Sequence, residues 1–360
     1  MRTSPGDYDY LNARVRGMST QLLAPEFYEH VLSSFTDTLL MDSLLASPYA
    51  ADVREALSTR GSTAVTRVVE AAAVRNTRAT FAKVLAIAPP EPRRLLAVLL
   101  NRWDVANVLA LARALLAGAS PQEAYGALLP IGELSNAQLV ELSAERDLRG
   151  LADCLTTWGH AFAFALRRAL QECENPADPR AVEHVLYAGY FSWALPQLRP
   201  SDRPQGIVRD CIRMQIDLTN VGAAFALVRD KGSSADRGMK GRIEPIARGL
   251  IPPAVLREIA AADSLEAAFE TLMETYLAPG VEKGILAFGQ ARSLAVMERF
   301  LEEVVLERGC RLFRKDVLGI GVPLGFIWRK YCELANLRLL ARGVAYAMPP
   351  NAIRQELVLV

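Results

Sequence analysis

Residues 104–115 read Asp-Val-Ala-Asn-Val-Leu-Ala-Leu-Ala-Arg-Ala-Leu. The same register returns as Asp-Leu-Thr-Asn-Val-Gly-Ala-Ala-Phe-Ala-Leu-Val at 217–228 and as Glu-Leu-Ala-Asn-Leu-Arg-Leu-Leu-Ala-Arg-Gly-Val at 333–344. Each copy sets an acid three residues before an asparagine: Asp104 and Asn107, Asp217 and Asn220, Glu333 and Asn336. Apolar side chains then recur at the first, fourth, fifth and eighth positions: Val108, Leu111, Ala112 and Leu115; Val221, Ala224, Phe225 and Val228; Leu337, Leu340, Ala341 and Val344. That spacing is the buried stripe of an amphipathic helix. Acid and amide share one helix face a turn apart, where both reach a neighbouring element.

A second marker precedes each copy: Val69-Glu70, Val182-Glu183 and Met297-Glu298. Glu70 to Asn107 and Glu183 to Asn220 both span 37 positions, and Glu298 to Asn336 spans 38. An earlier helix repeats between the second and third copies, with Leu139, Leu142, Leu148 and Leu155 lying 117 residues before Leu256, Ile259, Leu265 and Leu272. The chain therefore predicts an all-α fold of three homologous helical domains, at 1–120, 121–235 and 236–360, each near the common domain size.

Composition agrees with helices. Of 360 residues 51% are hydrophobic but only 7% aromatic, which suits Ala- and Leu-rich helix packing more than strands. Lys plus Arg number 41 and Asp plus Glu 40, so a net charge of +1 gives no reason to expect nucleic acid as a partner. Cys154, Cys173, Cys211, Cys310 and Cys332 are odd in number and unpaired in spacing, which argues against a disulfide framework and fits a reducing compartment. The N-terminal stretch has charges and proline where an export signal needs an apolar core. The most apolar run, VANVLALARALLAG, is interrupted by Arg113, and no membrane span is expected.

Helical periodicity predicts helices over 22–45, 64–87 and 93–116, with Pro89 and Pro90 between the last two. Further helices are expected near 137–155, 161–171, 180–198, 207–229, 253–262, 265–276, 293–308 and 324–345, then a short terminal one. Residues 230–241, DKGSSADRGMKG, read as a linker.

No chemistry stands out. The repeated acids could be general acids or bases only if they converged in one pocket, whereas they occupy equivalent places in three units. A carboxylate and an amide satisfying backbone groups near a turn is the reading preferred for them. His30, His160 and His184 are not in ligand spacing, and no cysteine pair supplies a zinc site. Gly232, Gly238 and Lys240 do not complete a phosphate loop. No cofactor, metal or enzymatic activity is expected. Arg14 and Arg16 are either a solvated face or contacts with acidic groups of a partner. Glu302, Glu303 and Glu307 read as solvated.

Three segments carry a family resemblance. They are Tyr10-Leu11-Asn12-Ala13-Arg14-Val15-Arg16 followed by Leu22-Leu23, the two Asp-x-x-Asn helices, and the ending from Gly319 to Val360. In that ending Glu333, Asn336, Leu337 and Arg342 fall at matching places within a long final helix, and IRQELVLV resembles the terminal helix. The chain resembles the C subunits of archaeal and bacterial V-type (A/V-type) rotary ATPases, counterparts of the eukaryotic d subunit. The linker over 230–241 and the Pro89-Pro90 pair depart from the family pattern.

The resemblance implies a pseudo-threefold funnel of three helical domains and a non-catalytic rotor subunit. It would sit peripherally on the cytoplasmic face of the membrane, between the proteolipid ring and the D and F subunits of the central stalk. Membrane association would run only through the ring, and the subunit would serve ATP-driven ion transport or ATP synthesis. The alternative is a general helical-repeat adaptor with another partner.

Overall fold

The computed structural model describes residues 8–60, 64–126, 128–160, 162–172, 179–230 and 245–359. The linker expected over 230–241 lies beyond Asp230 outside these residues, and so does Cys173. The described residues hold helices and no strand.

The helices recur in groups of five. After α1 (Asp9–Ser19), the first group is α2 (Pro25–Ser33), α3 (Asp37–Leu45), α4 (Ala50–Arg60), α5 (Val65–Ile87) and α6 (Pro90–Leu116). A short α7 (Pro121–Gly126) leads to α8 (Asn136–Ser143), α9 (Leu148–Thr157), α10 (Ala163–Glu172), α11 (Pro179–Ala194) and α12 (Arg203–Asp230). The third group is α13 (Pro253–Ala261), α14 (Leu265–Leu272), α15 (Ala278–Ala291), α16 (Leu294–Lys315) and α17 (Gly321–Ala345), followed by α18 (Pro350–Glu356).

Local sequence sets these boundaries. In every group the second helix is capped by its preceding residue: Thr36, Asp147 and Ser264 each accept from the backbone N–H three positions on, at 3.2, 2.8 and 3.1 Å. The first helix opens on Pro25 or Pro253, whose missing N–H costs nothing at that place. In the second group Ser135 and Gln138 form a capping box instead. Residues 22–45 and 137–155, each expected as one helix, are therefore two helices apiece.

The described chain divides into two compact units, Met1–Ala97 with Leu129–Ile131 and Glu307–Val360, and Val98–Leu128 with Gly132–Leu306. In the first unit α17 packs along α5 and against α1. Trp328 of α17 is fully buried, its ring lying where a Cβ on Gly309 would stand. The α16 helix continues through Gly309 to Lys315, past the end near Arg308 expected for it. In the second unit Phe162, Tyr190, Phe191 and Trp193 cluster, and Phe225, Phe269 and Phe288 meet edge to face at 5.1 and 4.9 Å.

One described helix, Pro90–Leu116, is long and apolar enough to cross a membrane, and 78% of its most apolar window is buried in the protein. Its apolar residues are core. Along the repeated stripe Val108, Leu111 and Ala112, all four of Val221, Ala224, Phe225 and Val228, and Leu337, Leu340 and Ala341 are buried, while Leu115 and Val344 are half-buried.

Candidate functional site

The acid of each copy grips the loop that leads into a first helix, and the asparagine beside it is buried. In the second unit, Asp104 of α6 is fully buried; its Oδ2 accepts from the Glu133 N–H at 2.7 Å and its Oδ1 from the Leu134 N–H at 3.2 Å, just before α8. Asp217 of α12 accepts from the N–H groups of Leu250 and Ile251 at 3.0 and 3.1 Å, just before α13, and from the Tyr276 hydroxyl at 3.1 Å. Asn220 pairs both ways with Ile246, donating to its carbonyl at 2.9 Å and accepting from its N–H at 2.8 Å. Asn107 is buried at the matching place in α6.

The first unit holds the third clasp. Glu333 of α17 accepts from the Leu23 N–H, two residues before α2, and Asn336 pairs both ways with Val358 at 3.0 Å in each direction. Here the gripped backbone comes from the two ends of the chain. In the copy of Asp217 and Asn220 it is one continuous connection, from Ile246 to Ile251.

Electrostatics differ among the clasps. Burial pushes the Asp104 carboxyl up to about 7 and that of Asp217 up to about 6, against the lowering effect of the N–H groups they accept from. Glu333 has a cation instead. Lys330 donates to it and to the Tyr49 hydroxyl, which itself donates to Glu333, and all three side chains are buried. Burial holds the Lys330 ammonium below its usual range and raises the Tyr49 hydroxyl.

A glycine explains why two acids are Asp and one is Glu. Gly132 and Gly249 lie so near Asp104 and Asp217 that a Cβ on either would overlap the carboxylate. The position matching them two residues before Leu23 is Gln21, which has a side chain, and there the longer glutamate reaches the loop.

The preceding markers form an outer set. Glu70 of α5 pairs with Arg338 and Arg342 of α17, at 3.5 and 3.2 Å. Glu183 of α11 pairs with Arg113 of α6. Arg113 and Arg342 each stand nine residues after their clasp acid. Nine residues after Asp217 stands Ala226, and five after it Gly222. Glu298 and Glu302, one turn apart on α16, make no hydrogen bond or ion pair among the described residues.

Glu298 and Glu302 line a cleft of about 1080 Å³ within the second unit. Its walls include Arg102, Arg113, Glu183, Tyr187 and Gln215. Burial and the Glu183 charge raise the Glu298 carboxyl, against the lowering effect of Arg229. The sequence singled out Glu298 as a repeat mark only. Nine residues after the clasp acid, where Arg113 and Arg342 stand in the other copies, α12 has Ala226, and the charge that acts on Glu298 from this helix is that of Arg229.

Arg16 donates to the Val317 carbonyl at 3.0 Å and lies 5.4 Å from the Phe313 ring centre, while Arg14 is exposed and unpaired among the described residues. Glu303 pairs with Lys283 and Glu307 with Arg311. Burial lowers His160 to about 4. Cys310 and Cys332 are buried thiols with sulfurs 3.8 Å apart. Among the described residues no group of three or more His, Cys, Asp and Glu could hold a metal ion.

The chain has relatives among known proteins. A family model described as ATP synthase (C/AC39) subunit matches residues 11–356. The V-type ATP synthase C subunit of Deinococcus radiodurans is 28% identical over 98% of this chain and 91% of its own length. That of Thermus thermophilus is 28% identical over 98% of both, and the A-type ATP synthase C subunit of Methanocaldococcus jannaschii is 22% identical over 98% of this chain and 86% of its own.

Proposed function

Because the chain belongs to the ATP synthase (C/AC39) subunit family, we propose that it is a non-catalytic rotor subunit of a V-type rotary ATPase, a socket joining the D/F shaft to the membrane proteolipid ring. It sits peripherally on the cytoplasmic face and touches the membrane only through that ring. Its work is mechanical. Torque passes through it between ATP turnover and ion translocation.

The observation that carries this reading is the set of three clasps. Each group's acid holds the backbone leading into another group: Asp104 that of α8, Asp217 that of α13, Glu333 that of α2. Such cross-linking resists relative twisting of helices, which a torque-bearing part needs, and it supports three domains, at 1–120, 121–235 and 236–360, in a pseudo-threefold funnel. Each of these buried carboxylates is held by backbone N–H groups of its own loop, which gives it a structural role. Glu70, Glu183, Asn107, Asn220 and Asn336 complete the same framework.

The test is gentle purification of the tagged chain from solubilised membranes, with mass spectrometry of its stoichiometric companions. The proteolipid and the D and F subunits are expected. Recovery of the chain alone, under conditions that keep rotary ATPases intact, would favour a helical adaptor with another partner.

A further inference from the structure

Cys310 of α16 and Cys332 of α17 bring their sulfurs to 3.8 Å in the core of the first unit, and the rotor reading makes no use of them. Their neighbours build this contact. Gly309, beside Cys310, leaves the space that the Trp328 ring fills, and Trp328 stands one turn before Cys332 on α17. A Cβ on Gly325 would overlap the Phe313 backbone, and one on Gly321 would crowd the Leu312 carbonyl. Glycines on both helices thus let the two backbones approach closely along an antiparallel hairpin. A disulfide needs its two Cα atoms within about 7 Å, and so close an approach is what it calls for.

Burial selects the oxidant. Cys310 is 4% exposed and Cys332 1%, so a reagent little larger than water is the one suited to reach them.

We propose that Cys310 and Cys332 form a reversible disulfide, driven by hydrogen peroxide, that staples α16 to α17. The Cys310 sulfur, the more exposed of the two, attacks a peroxide oxygen; the O–O bond breaks, one water leaves with the thiol proton, and a sulfenic acid remains. The Cys332 sulfur then attacks the Cys310 Sγ; the S–S bond forms, the S–O bond breaks, and the hydroxyl departs with the Cys332 proton as a second water. The two thiols lose two electrons and the peroxide gains them. Thiol exchange in a reducing compartment reverses the link, which makes it transient there. Because the second sulfur is already in contact, it captures the sulfenic acid before further oxidation. Cys332 adjoins Glu333, so the staple closes on the turn of α17 that holds the α2 entry loop. None of this depends on which partners the chain has.

Peptide mapping tests it, on the purified full chain reduced, freed of reductant, exposed to hydrogen peroxide and alkylated without reduction. A linked pair of peptides carrying Cys310 and Cys332 is expected, lost on adding dithiothreitol, with a melting temperature about 5 °C above that of the reduced chain. In Cys332→Ser the Cys310 sulfenic acid should instead be captured by dimedone, which finds little of it in the wild type. Cys310→Ala/Cys332→Ala should melt at one temperature with and without peroxide. Recovery of both cysteines as free thiols, or as separate sulfinic or sulfonic acids, would overturn the proposal. So would a link that forms only in denaturant, or the same rise in melting temperature in the double variant.

Discussion

The Asp104 carboxylate occupies the space in which a side chain on Gly132 would begin, and the same is true of Asp217 and Gly249. Acid and glycine are thus one device: the carboxylate reaches two successive N–H groups only because the loop has no Cβ facing it.

Gly132→Ala should destabilise the chain by about 1–3 kcal/mol through overpacking, with no hydrogen-bonding group removed. Urea denaturation of the variant against wild type measures this. A variant as stable as wild type would mean that the loop yields freely and that Asp104 does not fix it.

Stability should depend on pH through the same acids. Folded Asp104 and Asp217 titrate at about 7 and about 6, well above an unfolded aspartate at about 4. Their protonated forms are favoured by folding, so this contribution is fully present below the unfolded value and is lost as pH rises through 6 to 7. His160, lowered to about 4, works in the opposite direction: its contribution is present above the unfolded histidine value and lost as pH falls. Comparing wild type with Asp104→Asn removes the histidine effect from the difference. The wild type should lose ground to the variant between pH 5 and pH 8, in denaturant melts at stepped pH, by roughly a kcal/mol or more. A pH-independent difference would contradict the shift.

Lys330 and Glu333 form a buried ion pair in which the glutamate also holds the α2 entry loop. Lys330→Met should cost about 3–5 kcal/mol, because it strands a buried carboxylate. Lys330→Met/Glu333→Gln should cost less than the single change, as the amide oxygen can still accept from Leu23 without a buried charge. A double variant worse than Lys330→Met would show that the charge itself is needed there.

Much of this was legible in the sequence, and the rest was hidden for physical reasons. Residues 64–87 read as one helix and form Val65–Ile87, because a long amphipathic stripe ends at a proline pair. The α15 helix, Ala278–Ala291, went unpredicted since Pro279, Gly280, Gly284 and Gly289 look like breakers. Two of those glycines instead let the helix approach Phe300 and Met297 closely. The split between α2 and α3 lacks glycine and proline, and only the cap at Thr36 marks it. For the clasps, spacing showed that acid and amide share a face. It could not show that their partners are loops some thirty residues downstream, or at opposite ends of the chain. The cleft was out of reach because it depends on which helix Glu298 faces.

Coupling is the central claim, and reconstitution tests it most directly. Vesicles carrying the complete complex, and vesicles carrying the complex assembled without this chain, would be assayed together for ATP hydrolysis and ATP-driven ion uptake. The account predicts that without the chain hydrolysis by the soluble head continues while ion uptake disappears, and that adding the purified chain back restores uptake. Ion uptake that stays coupled to hydrolysis in its absence would contradict the account.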